Sequence, residues 1–169
     1  SDDDHLGRGS ASALLGLAAW TNGDLTSARR SYTVGMALLQ RAGHFSDVLG
    51  CAIALADMQI ALGCLSDAQR TYEQALRLGP GGLVLRGAAD MLVGLSDLQR
   101  ERNELAAALE GLERRRNLGE HRGLPQYPYR ERLVMARVRQ AQGDLDAALD
   151  LLADADRRYD GDFSPNVRP

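Results

Sequence analysis

The sequence contains no lysine; all 20 basic residues are arginine. A P-loop needs a lysine behind its glycines, so this stretch of chain carries none. With alanine, glycine and leucine so abundant, the exclusive use of arginine reads as a base-composition bias, not a functional choice. Aromatic residues are scarce at 5%, while hydrophobic residues reach 44%. Any core must therefore be made of leucine, alanine and valine, as thin helix-on-helix seams are. The net charge is −3 and no large basic block occurs, which argues against direct nucleic-acid contact from this segment. No apolar run approaches the roughly 20 residues that a membrane span needs, and no signal peptide is visible.

Chemistry is equally thin. The two cysteines, Cys51 and Cys64, are thirteen positions apart. A helix joining them would separate them by roughly 19 Å, too far for a disulfide. Free buried thiols in a reducing, cytoplasmic compartment are expected. His5, His44 and His121 are scattered, and no His/Cys spacing suits a metal. No Gly-x-Ser-x-Gly elbow occurs. The expectation is a chain that is not an enzyme, with no cofactor and no membrane contact.

What is present is a repeat. The stretch Gly143-Asp144-Leu145-Asp146-Ala147-Ala148-Leu149-Asp150-Leu151-Leu152 returns at steps of 40 residues. Leu145 falls on Leu105, Leu65 and Leu25; Ala148 falls on Ala108, Ala68 and Ala28. Leu152 falls on Leu112, Tyr72 and Tyr32, and Gly143 on Asn103, Gly63 and Gly23. Such a period marks a solenoid. Each copy reads as two helices joined at the glycine, or at an asparagine that also tolerates left-handed backbone. The predicted helices cover 9–21, 25–41, 48–62, 65–78, 83–102 and 104–118, with the fourth pair starting at Tyr129. Small residues at 16, 56, 96 and 136 mark close helix crossings, and the large residues at 32, 72, 112 and 152 fill the gaps between pairs. The apolar residues Leu145, Ala148, Leu149, Leu152 and Ala155 are expected to face inward, so Leu145→Ala is expected to behave as a core truncation.

The fold class expected is all-α, a right-handed α-solenoid of about four tetratricopeptide-like helix-turn-helix repeats. The boundaries are an N-terminal tail over 1–8, one repeat domain over 9–159 (repeats about 9–43, 44–82, 83–122 and 123–159), and a C-terminal tail over 160–169 that starts a truncated further repeat. Gly79-Pro80-Gly81-Gly82 is an inter-repeat loop. Gly119 to Pro128 is a loop held by Pro125 and Pro128. Arg114-Arg115-Arg116 is a solvated run near a helix C-terminus. The chain begins Ser-Asp-Asp without Met, as a trimmed piece would.

Ala19-Trp20-Thr21-Asn22-Gly23-Asp24-Leu25, the stretch Arg132 to Leu145, and Arg157-Arg158-Tyr159 followed by Asp162-Phe163-Ser164-Pro165 carry a resemblance. They resemble the helical sensor region of the large ATP-dependent LuxR-type, maltose-regulon-activator-like transcription regulators. The unit is longer than the usual tetratricopeptide, and its closing proline is missing. In such arrays the first helix of each pair lines a concave groove. By that resemblance the groove positions here include Trp20, Asp57, Asp97, Arg100, Arg130 and Arg137. One column reads Leu17, Asp57, Asp97, Arg137, with Asp97 and Arg137 placed to form a cross-repeat ion pair. If both face the groove, Asp97→Ala and Arg137→Ala leave folding nearly intact.

The function implied by the resemblance is a sensor or regulatory segment. A small-molecule inducer or a regulatory protein would bind the groove and bias the parent protein between states. Other domains of the parent would be partners, and a homodimer is a further expectation. The family's nucleotide-binding module and DNA-binding helix-turn-helix have no counterpart in these residues. The alternative is a tetratricopeptide-like protein-interaction scaffold unrelated to transcription.

Overall fold

In the computed structural model, residues 4–78 and 85–159 are described, apart from the side chains of 114–122. The expectations for residues 1–3, for Gly79-Pro80-Gly81-Gly82, for the Arg114-Arg115-Arg116 side chains and for 160–169 lie outside the described residues. The described chain is helical and contains no strand. Its helices are α1 (His5–Thr21), α2 (Leu25–Arg41), α3 (Phe45–Ala61), α4 (Leu65–Leu76), α5 (Ala88–Glu101), α6 (Leu105–Arg122), α7 (Tyr127–Ala141) and α8 (Leu145–Tyr159). They form two compact units, Ser1–Leu85 and Arg86–Pro169, each with two helix pairs.

The turns inside the pairs explain why the repeat is legible. Gly23, Gly63 and Gly143 have φ of 80°, 73° and 82°, and Asn103, in the same register, has 63°. This left-handed residue reverses the chain, and the carbonyls of the finished helix accept bonds from beyond it. After α1, the N–H groups of Gly23 and Asp24 donate to the carbonyls of Trp20 and Ala19, both at 2.9 Å. The following aspartate caps the next helix: Asp24 accepts from the Ser27 N–H at 3.0 Å, and Asp144 from the Ala147 N–H at 3.2 Å.

Several helix ends differ from the sequence expectation, among them the start of α3, which lies at Phe45 and not at Val48. Helix α1 begins at His5, because Asp4 caps it by accepting from the Gly7 N–H at 2.8 Å. Helix α5 begins only at Ala88; Gly87 has φ of 100°, which a helix cannot include. The expected loop 119–128 is largely helical. Helix α6 runs to Arg122, and α7 takes Pro128 into its first turn, where a missing N–H costs nothing.

In the first unit α2 packs on α1 and α3, and α3 on α4. Its core gathers Ala28, Tyr32, Leu39, Val48, Cys51, Leu55 and Met58. Glycine lets α1 and α2 approach: a Cβ on Gly16 would lie 2.9 Å from the Tyr32 ring, and one on Gly9 would lie 2.9 Å from Leu39. In the second unit α5 packs on α6 and α7, α6 on α7, and α7 on α8. One cluster holds Ala89, Val93, Leu112, Tyr127, Val134 and Met135. A second holds Tyr129, Leu133 and Ala155, with the rings of Tyr129 and Tyr159 edge to face at 5.3 Å.

The small-residue register is buried as expected: Ala28, Ala68 and Ala108 are 0% exposed and Ala148 is 6%. Tyr32, Tyr72 and Leu112 are buried too. The inward stripe of α8 is a correction. Leu145, Leu149 and Leu152 are 59%, 64% and 43% exposed. Only Ala148 and Ala155 of that stripe turn into the unit. On α1, Leu14 and Leu15 are likewise exposed, at 66% and 64%. Periodicity finds an apolar face; whether another helix covers it depends on what is packed there.

Candidate functional site

The polar residues singled out from the sequence fall into separate settings. In the first unit Trp20 is half-buried and packs against the core around Tyr32 and Leu39. Asp57, on α3, accepts a hydrogen bond from the Tyr72 hydroxyl of α4 at 2.7 Å. Beside it Thr71 donates to Gln59 at 2.9 Å. Both bonds tie α3 to α4 across the Gly63 turn. The column Leu17, Asp57, Asp97, Arg137 thus divides, two residues in each unit.

The second unit brings three of the predicted residues together. The Asp97 carboxylate accepts from Arg100 Nε at 2.6 Å and from Arg137 Nη1 at 3.2 Å. Arg100 also pairs with Glu101. The Asp97–Arg137 pair spans one 40-residue period and links α5 to α7. Asp97 itself is buried, with 8% of its side chain exposed; Arg100 has 18% and Arg137 48%. Burial alone would lower the Arg100 pKa, but hydrogen bonds and charge from Asp97 and Glu101 outweigh it and raise it. Two arginines face two carboxylates, so the cluster is neutral. What it offers to solvent is the half-exposed Arg137 side chain and part of Glu101, whose side chain is 35% exposed.

Arg130 is not open to solvent. It is 6% exposed and donates from Nη1 to the Asp90 carbonyl at 2.9 Å. Asp90, 0% exposed, accepts from the Leu124 N–H at 2.8 Å. These bonds tie α5 to the start of α7 and to the turn before it. Sequence reasoning missed a further cluster. Asp154 on α8 accepts from Arg132 of α7 and from Arg158, both at 2.8 Å. The bonds from Arg158 and then Arg132 hold the Asp154 carboxyl well below its usual 3.8. The Asp154/Arg158 spacing of four is legible on a helix; the Arg132 bond needs the Gly143 turn to lay α7 on α8.

No group of three or more histidine, cysteine, aspartate or glutamate side chains suits a metal among the described residues. Both cysteines are free. Burial, with the Asp47 charge adding, pushes the Cys51 thiol up to about 12, so it stays neutral and unreactive near pH 7. No helix among the described residues is long and apolar enough to cross a membrane.

A family model described as the MalT-like TPR region matches residues 1–169. No curated protein matches the chain. Among solved structures, the crystal structure of BtubC (BKLC) from P. vanneervenii superposes with a TM-score of 0.61 at 22% identity, over 95% of this chain and 67% of that one. At that identity the likeness is one of fold.

Proposed function

The chain belongs to the MalT-like TPR region family, and from that premise we propose that it is the sensing or partner-docking segment of a LuxR-type bacterial transcription regulator. Its ligand binds on the face shared by α5 and α7. The observation that carries the reading is the half-exposed Arg137 side chain, whose guanidinium is held by buried Asp97 between the first helices of two successive pairs. A ligand that engages Arg137 engages the joint between those pairs. Binding there biases the relative stability of two arrangements of the parent protein, provided that the ligand prefers one of them.

Neutrality of the cluster favours a polar or zwitterionic ligand, or a peptide carboxylate, over a multiply charged anion. It equally suits a tetratricopeptide-like scaffold that docks a protein segment and has no part in transcription. The coding sequence around this stretch separates the two: a nucleotide-binding module before it and a helix-turn-helix after it support the regulator.

The direct test is a thermal-shift screen with sugars, small organic acids and signalling metabolites. A ligand at 100 times its Kd adds about 2.7 kcal/mol. A dose-dependent shift that Arg137→Gln abolishes, with the unliganded melting temperature unchanged, supports sensing at this face. A shift that survives Arg137→Gln moves the site elsewhere. A flat screen leaves protein docking as the function.

A further inference from the structure

We propose that the face shared by α5 and α7 takes a small zwitterion, with its carboxylate on Arg137 and its ammonium on Glu101, the two charges standing about one helical turn apart. The inference rests on the ligand reading above and names the chemistry of that same face.

Arg137 has donors to spare. Its one hydrogen bond among the described residues runs from Nη1 to Asp97 Oδ2 at 3.2 Å. Nη1 lies on the Cδ side of a guanidinium, so the opposite edge, Nε with Nη2, keeps its N–H groups unspent. That edge matches a carboxylate through two parallel hydrogen bonds. The Arg137 side chain is 48% exposed. Arg100 has no such role, because it is 18% exposed and already spent on Asp97 and Glu101. Asp97 fixes Arg137 from behind and is itself held by Arg100 Nε at 2.6 Å. A long side chain that is already held loses less freedom when a ligand binds. Asp97 is therefore a positioning residue.

The same face carries the opposite charge. Glu101 follows Asp97 by four residues on α5, so it lies on the same side of the helix, about 5.4 Å further along the axis. Its Oε1 accepts from Arg100, and its Oε2 accepts no bond among the described residues. The side chain is 35% exposed. Helix α5 ends there, and its C-terminal dipole adds to the attraction for an ammonium. A simple anion on Arg137 would leave the cluster with excess negative charge beside Glu101. A zwitterion meets one cation and one anion, and the occupied cluster stays neutral. An α-amino acid holds both charges on one carbon, too close together to span a turn. Two extended residues reach roughly 7 Å, so a dipeptide with free ends, or an ω-amino acid of like length, fits.

Thermal shift followed by isothermal titration tests it on the chain, Arg137→Gln and Glu101→Gln. The probes are a panel of dipeptides with free ends, the same panel N-acetylated, the same panel C-amidated, ε-aminocaproate and free alanine. Free-ended dipeptides are expected to bind, and blocking either end should weaken binding by about ten-fold or more. In Arg137→Gln the acid and the amide should bind alike while the preference for a free amine remains. In Glu101→Gln the amine and its acetylated form should bind alike while the preference for a free carboxylate remains. A variant that is merely misfolded cannot give this crossed pattern. Asp97→Asn should weaken binding and keep both preferences. Binding of ε-aminocaproate supports the proposal with a ligand that has no peptide bond; its failure beside bound dipeptides supports a peptide. No binding by any of these zwitterions overturns the proposal. So do end preferences that survive in both variants, or alanine binding as tightly as the dipeptides. An uncharged ligand whose shift Arg137→Gln abolishes also overturns it but leaves the sensing face standing, whereas a ligand of any kind that is indifferent to Arg137→Gln counts against that face itself.

Discussion

Asp97 shows how one side chain can look like a surface residue in sequence and be structural in the fold. A carboxylate on a helix face expected to line a groove reads as solvated, and its removal as harmless. In the structure it is buried, holding Arg100 and Arg137 at once. Asp97→Ala leaves the largely buried Arg100 guanidinium with only the more exposed Glu101 as partner, so a loss of about 2–4 kcal/mol is expected in urea unfolding. Arg137→Ala removes a half-exposed partner and should cost less than about 1 kcal/mol. Equal effects of the two would show that Asp97 is not the hub. Asp154 makes a pH prediction. Its folded pKa is depressed below 3.8. The stability it contributes is therefore present above that value and lost as pH falls through the lower, folded pKa. Urea midpoints of Asp154→Asn should fall less steeply than those of the parent chain between about pH 4 and pH 2; parallel curves would mean that the Arg158 and Arg132 bonds do not form in solution.

Among helices, the same register position has two fates. Leu112 and Leu152 are one period apart in equivalent settings, yet Leu112 is covered by Val134 and Met135 while Leu152 is 43% exposed. Leu112→Ala should cost about 2–5 kcal/mol as a cavity-forming truncation. Leu145→Ala, on the exposed stripe of α8, should stay within about 0.5 kcal/mol when measured in dilute solution. This reverses what the repeat pattern alone suggests. A large loss at Leu145 would mean that the α8 face is covered.

At the scale of the molecule, each unit has its own core. The cluster around Tyr32 and Leu39 draws on α1 to α3, and that around Leu112 and Met135 draws on α5 to α7. Leu39→Ala and Leu112→Ala share no packing partner in those clusters. Their costs should add to within about 0.5 kcal/mol in the double variant. A larger departure would show energetic coupling between the two cores.

Much of this protein is determined locally, and that part is legible in its residues. Left-handed turns at 23, 63, 103 and 143 need glycine or asparagine, aspartate caps follow at Asp24 and Asp144, and Ala28, Ala68, Ala108 and Ala148 sit where helices touch. Each requirement is met within a few residues, so helix number, pairing and period follow from sequence. Other features depend on which elements meet. That Asp97 is buried while Arg137 is half-exposed, that Arg130 reaches the Asp90 carbonyl, and that Asp154 binds Arg132 are set by helices distant in sequence. An apolar stripe has the same composition whether covered, as at Leu112, or exposed, as at Leu149. Burial is a property of the neighbour as much as of the residue, and only the tertiary structure supplies the neighbour.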